Sequence, residues 1–325
     1  MATERDDEIT REQPACRPGA QPGWGDRILV PMDGSPEAVQ ALPVARAMAR
    51  LLGATVHIVH ATEIAIPTEE MPHWLSLEQE DLAGVVVDKV SGPPNEAILR
   101  LQHDAKLSPI VISTRGRGTP SERAIGPVAA EVIQRAPGPV LLVWPEISSR
   151  LSQPDENVRR IVLPLDGTPS TAFAIAPAID LAQRSRAELY LLYVAVMGKQ
   201  RPLEPGTLTP PRYLDQPQYE WPDWATELLE RLWQVSGCKP ARIPVRISMV
   251  SGEPVEEISR FASEHQADLI AFAWRGRFIR GGPAFVASGL RQAGCPALVL
   301  HAPSRIVVTE ERGRRPRGRE RRRAA

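Results

Sequence analysis

Five short apolar runs mark the first 145 residues: Ile28–Val30, Thr55–Ala61, Val85–Val90, Ile110–Ser113 and Val140–Val143. Each is too short for an ordinary helix and is rich in branched aliphatics, which predicts buried strands. Between the first two, Val39, Leu42, Ala45, Met48 and Leu52 recur at helical spacing. This predicts one helix from Pro36 to about Leu52, capped by Ser35, kinked at Pro43 and ended by Gly53. Residues 63–82, with Pro67 and Pro72, predict a loop holding at most a short helix. Helices are expected again over Asn95–Lys106, with Ala97, Ile98 and Leu101 inward, and over Val128–Arg135. Strands alternating with helical segments predict a five-stranded, parallel, doubly wound sheet.

The pattern then restarts. Arg160-Ile161-Val162-Leu163-Pro164-Leu165-Asp166-Gly167-Thr168-Pro169 repeats the punctuation of Arg27-Ile28-Leu29-Val30-Pro31-Met32-Asp33-Gly34-Ser35-Pro36 at an offset of 133. Ser251-Gly252 repeats Ser91-Gly92, and Arg275-Gly276-Arg277 repeats Arg115-Gly116-Arg117, both at 160. Gly282-Pro283 repeats Gly126-Pro127 at 156. Ordered matches of this kind indicate a duplicated domain. The reading is a polar, disordered tail over 1–25, a first domain over 26–145, a linker over 146–158 and a second domain over 159–304. A Pro-rich insertion over 198–224 interrupts the second domain, an amphipathic helix over Ala225–Val235 follows it, and an Arg-rich tail over 305–325 ends the chain.

Charge adds one point. The 325 residues are formally neutral, yet 305–325 hold nine Arg and three Glu, so the rest is acidic. The tail suits non-specific contact with nucleic acid, but it sits beside an acidic body, so sequence-directed nucleic-acid binding is not expected. No run of 18 apolar residues occurs, and none of the three Cys shares a C-x-x-C. A reducing cytoplasm, no membrane span and no structural zinc are expected.

Candidate chemistry centres on Ile110–Val143, read as strand, Gly-rich polar loop, helix and strand. Such a loop, leaving the carboxyl end of a buried strand for a helix N-terminus, suits an anion. Arg115 and Arg117 flank Gly116 and are either phosphate contacts or solvated loop residues. Asp33 and Asp166 follow the first strand of each copy and are either ligand-facing or the caps of Asx turns. His57 and His60, three apart on a strand, point to opposite faces and have no metal-binding partners. No nucleophile elbow, P-loop or G-x-G-x-x-G follows the first strand. No general base stands out, so the chain is expected not to be an enzyme, or at most a very slow one.

Taken together, P-x-D-G-[ST]-P twice, S-T-R-G-R-G followed by A-I-G, and A-P-G-P-V-L-L-V resemble a tandem, UspA-type universal stress protein. The resemblance covers about 26–145 and 159–302. It implies two tandem, Rossmann-like domains of the adenine nucleotide alpha hydrolase-like kind. Nucleotide-binding members resemble one another in G-x-x-G, nine residues, then G-[ST]; the matching positions here are Ser113, Gly116, Gly126 and Pro127. The glycine spacing is kept, whereas Pro127 removes a hydroxyl and an N–H. The implied ligand is ATP or AMP in the first domain, with or without Mg. Asp33 would lie beside adenine and ribose, and Pro31, Met32, Ala61 and Ile112 would line the adenine slot. Ser113, Thr114, Arg115, Arg117 and Thr119 would supply phosphate donors. The second copy has Ala273 at the leading position and a loop four residues shorter, so Asp166 is the weaker candidate and Arg275, Arg277 and Arg280 keep only a smaller anion reading. The resemblance further implies pairing through Val140–Trp144 and Ala297–His301 as an internal pseudo-dimer. A homodimer through Tyr213–Trp224 and a regulatory protein partner are further expectations. The competing reading is a nucleotide-free scaffold with degenerate sites in both copies.

Overall fold

The computed structural model describes residues 24–104, 107–120, 125–147, 156–195, 227–234, 243–274 and 289–301, with positions 151, 153, 207, 236 and 237. In the first half the strands are β1 Arg27–Pro31, β2 Thr55–Ala61, β3 Val85–Val90, β4 Ile110–Ser113 and β5 Val140–Val143. The second half supplies β6 Arg160–Leu165, β7 Glu188–Ala195, β8 Val245–Ser251, β9 Leu269–Trp274 and β10 Ala297–His301. The longer helices are α1 Ala41–Leu52, α2 Pro94–Asp104, α3 Pro127–Arg135, α4 Ile175–Ser185, α5 over 227–234 and α6 Pro254–Glu264.

The pairing expected through the last strands joins the five strands of each half into a single sheet. All ten strands form one sheet in the order β3-β2-β1-β4-β5-β10-β9-β6-β7-β8. Every ladder is parallel except the central one, where β5 and β10 run antiparallel with Leu141 opposite Leu298. Pairing these last strands removes two exposed apolar edges. It also turns the halves head to tail, so the carboxyl ends of their parallel strands face opposite ways.

Strand parity builds the core, because successive side chains alternate between faces. Ile28, Val30, Val111, Leu141, Leu163 and Leu298 lie on one face, under α1 and α4. Leu29, Ile110, Ile112, Val140, Leu142 and Val299 lie on the other, under α2, α3 and α6. Both cores run across the seam, and helices cover both faces.

The single helix with a kink at Pro43 is corrected. Ser35 Oγ accepts from Ala38 N at 3.2 Å and caps a short turn, Pro36–Val39. The chain breaks at Gln40 and α1 starts at Ala41. Pro43 then stands in the first turn of α1, where its missing N–H costs no bond. The second half repeats the device, with a Thr168 cap, a turn over Pro169–Ala172, and Pro177 in the first turn of α4. Within 63–82 the structure has one turn of helix, Met71–Trp74, and a 3-10 turn, Gln79–Leu82. His265 is half-buried and stacks on Phe261 with ring centroids 3.8 Å apart. No helix among the described residues is long and apolar enough to cross a membrane.

Candidate functional site

The sequence Pro-x-Asp-Gly-Ser makes a tight turn at the carboxyl end of β1. Gly34 has φ +79°, and a Cβ there would stand 2.4 Å from the Trp74 carbonyl oxygen. Only glycine meets both demands. The turn aims the Asp33 carboxylate at the loop after β4. Asp33 Oδ1 accepts from Ser35 N at 3.0 Å and from Ser35 Oγ, and Oδ2 accepts from the backbone N of Arg117. Gly116 packs on that carboxylate so closely that a Cβ would fall 2.3 Å from Oδ2. The first pair of bonds is the Asx turn weighed in the sequence, and the third ties the turn to the Gly-rich loop.

The loop is pinned at both ends. Thr114 N donates to Val143 O at 2.8 Å, and Gly126 N donates to Thr114 O at 2.7 Å. Gly126 is the N-cap of α3 and Pro127 its first residue. The N–H of Gly126 is therefore committed and Pro127 has none. Val128 and Ala129 supply the remaining N–H groups of that first turn, which have no intrahelical acceptor.

Between β1, β2, β4, the loop and α3 lies a cavity of about 320 Å³. Eleven of the sequence-derived candidates line it: Pro31, Met32, Asp33, Ala61, Ile112, Ser113, Arg115, Gly116, Arg117, Gly126 and Pro127. Thr114 and Thr119 do so as well. Asp166 lies in the other half, where Oδ1 accepts from Thr168 N at 3.0 Å, Thr168 Oγ1 at 2.6 Å and Thr171 Oγ1 at 2.8 Å, a turn like that of Asp33. Arg275, Gly276, Arg277, Arg280 and Gly282-Pro283 fall outside the described residues, as do Tyr213–Trp224 and the tail over 305–325.

Sequence reasoning missed Ala38, Val59, His60, Pro94, Ile98, Val128 and Ala129 in the cavity wall. From the sequence, His60 is weighed only as a metal ligand. Its Nδ1 stands 2.8 Å from Met32 O, which selects the Nδ1–H tautomer and leaves Nε2 as an acceptor. No cluster of His, Cys, Asp and Glu suited to a metal occurs among the described residues.

Two polar groups differ in their commitments. The Thr114 side chain is fully buried, lines the cavity, and its Oγ1 has no partner. An unmet buried hydroxyl costs about 1–3 kcal/mol, which a ligand oxygen would offset. Arg115 is already engaged, with Nη2 2.7 Å from Glu146 Oε2. The wall thus combines an apolar slot, a hydroxyl-rich end and a helix N-terminus. These features fit a flat base with an attached phosphate.

The sequence profile of the universal stress protein family matches residues 25–143 and 157–301. A universal stress protein of Thermus aquaticus is 35% identical over 132 residues, which cover 36% of this chain and 96% of that one. One of Mycobacterium tuberculosis is 24% identical over 190 residues, covering 51% of this chain and 63% of that protein, so the match spans under two-thirds of the relative. Among solved structures, a universal stress protein from Archaeoglobus fulgidus has a TM-score of 0.55 at 17% identity, covering 85% of this chain and 98% of that one, a likeness of fold. With the profile matched once in each half, the chain belongs to the universal stress protein family as a tandem two-domain member.

Proposed function

We propose that the first half binds an adenine nucleotide, ATP or AMP, and that the protein serves stress response or its regulation through occupancy of that site. The observation that carries this reading is the buried, unpartnered Thr114 hydroxyl in the wall of the 320 Å³ cavity, beside the N-terminus of α3. Pro31, Met32, Ala61 and Ile112 would hold the base. Ser113, Thr114, Arg117, Thr119 and the first turn of α3 would hold phosphate. A nucleotide brings its own negative charge, with or without Mg, and the chain supplies donors and an apolar slot. Rapid hydrolysis is not part of the proposal. Asp33 is the sole carboxylate among the described cavity residues, and both its oxygens already accept hydrogen bonds.

A nucleotide-free scaffold is the second reading. Pro127 and the committed Gly126 N–H favour it, because they remove two of the helix-end donors. Isothermal titration with ATP, ADP and AMP, with and without Mg, separates the two. Binding that Gly116→Trp abolishes supports the nucleotide site. Absence of heat together with absence of co-purified nucleotide supports the scaffold.

A further inference from the structure

Glu146, just after β5, holds two arginines from different halves of the chain. Its Oε2 lies 2.7 Å from Arg115 Nη2, on the loop after β4, and its Oε1 bonds Arg291 Nε, in the 3-10 turn before β10. The antiparallel seam makes this possible, because it sets the end of β5 beside the start of β10. The Arg115 side chain is only 13% exposed and that of Glu146 26%, so the pair is shielded more than an ordinary surface ion pair. Arg115 also lines the first-half cavity. One guanidinium therefore serves both the wall of that cavity and a carboxylate.

We infer that Glu146 sets the affinity of the first-half cavity for anionic phosphate by competing for Arg115, and that Arg291 on the other half sets how strongly it competes. The inference rests on the nucleotide reading above and deepens it. A phosphate approaching Arg115 meets a guanidinium whose charge is already answered, and it also meets the carboxylate's repulsion. Arg291 draws the carboxylate the other way and answers part of its charge. Removing the carboxylate should strengthen phosphate binding, and removing Arg291 should weaken it. The effect should grow with ligand charge and be absent for an uncharged nucleoside. It links the state of the seam to occupancy of the first half, and by reciprocity occupancy would shift Glu146 toward Arg291.

The test is titration of the full chain with adenosine, AMP, ADP and ATP, comparing wild type with Glu146→Gln, Arg291→Met, Arg115→Met and Arg115→Met/Glu146→Gln. Circular dichroism and thermal melting confirm that each variant is folded. The expected result for Glu146→Gln is roughly three- to tenfold tighter ATP binding, a smaller gain for AMP and none for adenosine. Arg291→Met is expected to weaken ATP by about two- to threefold. In the Arg115→Met background, Glu146→Gln should change little. Wild type that binds nucleotide while Glu146→Gln leaves ATP unchanged or weaker overturns the inference and leaves the nucleotide reading standing. A gain that persists without Arg115 also overturns it, since the competition would not run through that residue. Absence of binding in both wild type and Glu146→Gln overturns the nucleotide reading and the inference with it.

Discussion

The carboxylate of Asp33 occupies the space that any side chain at Gly116 would need. A Cβ on Gly116 would lie 2.3 Å from Asp33 Oδ2, the oxygen that accepts the Arg117 backbone N–H. The conformation of the loop after β4 and the turn after β1 are therefore one unit, joined 84 residues apart in sequence.

Gly116→Ala is expected to destabilise the fold by about 1–3 kcal/mol, since the carboxylate must move and give up a hydrogen bond. Asp33→Ala should cost a similar amount. The double variant should cost clearly less than the sum, because removing the Asp33 carboxylate vacates the space that the added methyl group would need. Urea unfolding of the four proteins measures the coupling, and strict additivity would sink the idea.

The seam supplies a second case. Leu141 and Leu298 are paired across β5 and β10 and fully buried. Leu141→Ala and Leu298→Ala should each cost about 2–5 kcal/mol, with a non-additive double variant. Costs under about 0.5 kcal/mol, the range of surface substitutions, would mean the seam is not packed as described.

Much of this was legible beforehand, for physical reasons that differ by feature. The repeat at offsets 133 and 160 predicts the strands and helices of both halves because buried strands must be apolar and turns must carry Gly, Pro or Asp, whereas the pairing of the last strands is implied only by the family resemblance. The break at Gln40 was not legible, since Val39 and Leu42 fit a continuous helix equally well and only the placement of Pro43 decides the matter. The cavity was legible through Gly116, Gly126 and Asp33. His60 was not, because its role depends on the Met32 carbonyl 28 residues away. The Arg115–Glu146–Arg291 chain was hidden for a like reason: it exists only once β5 and β10 pair antiparallel, and no local pattern carries that.

Stability should fall on mild acidification. Burial pushes the His301 pKa below its ordinary value of 6.5, although Ile133 O at 2.6 Å and Gly138 O at 3.1 Å from its ring nitrogens oppose the shift. Burial, and then the nearby Arg27, lower His57 likewise. Below 6.5 the unfolded chain takes up protons that the folded chain refuses, so stability present above 6.5 is lost as pH falls toward the folded values. Urea midpoints at about pH 7.5 and about pH 5.5 should differ in that direction, and by less in His301→Gln. An unchanged difference in that variant would remove His301 from the account.

Cys295 should be inert in the native protein. Burial pushes its thiol up to about 12, so almost no thiolate is present at neutral pH. Iodoacetamide followed by peptide mass analysis should leave Cys295 unmodified in buffer and alkylate it in urea. Labelling in buffer at the unfolded rate would contradict the buried placement.

Ordinary dimers part when diluted. Here the antiparallel junction of β5 and β10 lies within one chain, so its effective concentration is fixed by covalent connection rather than by expression level. The two halves are held at one to one whatever the abundance of the protein. A change in the second half is therefore always coupled to the same first half and never to a mixed population of partners.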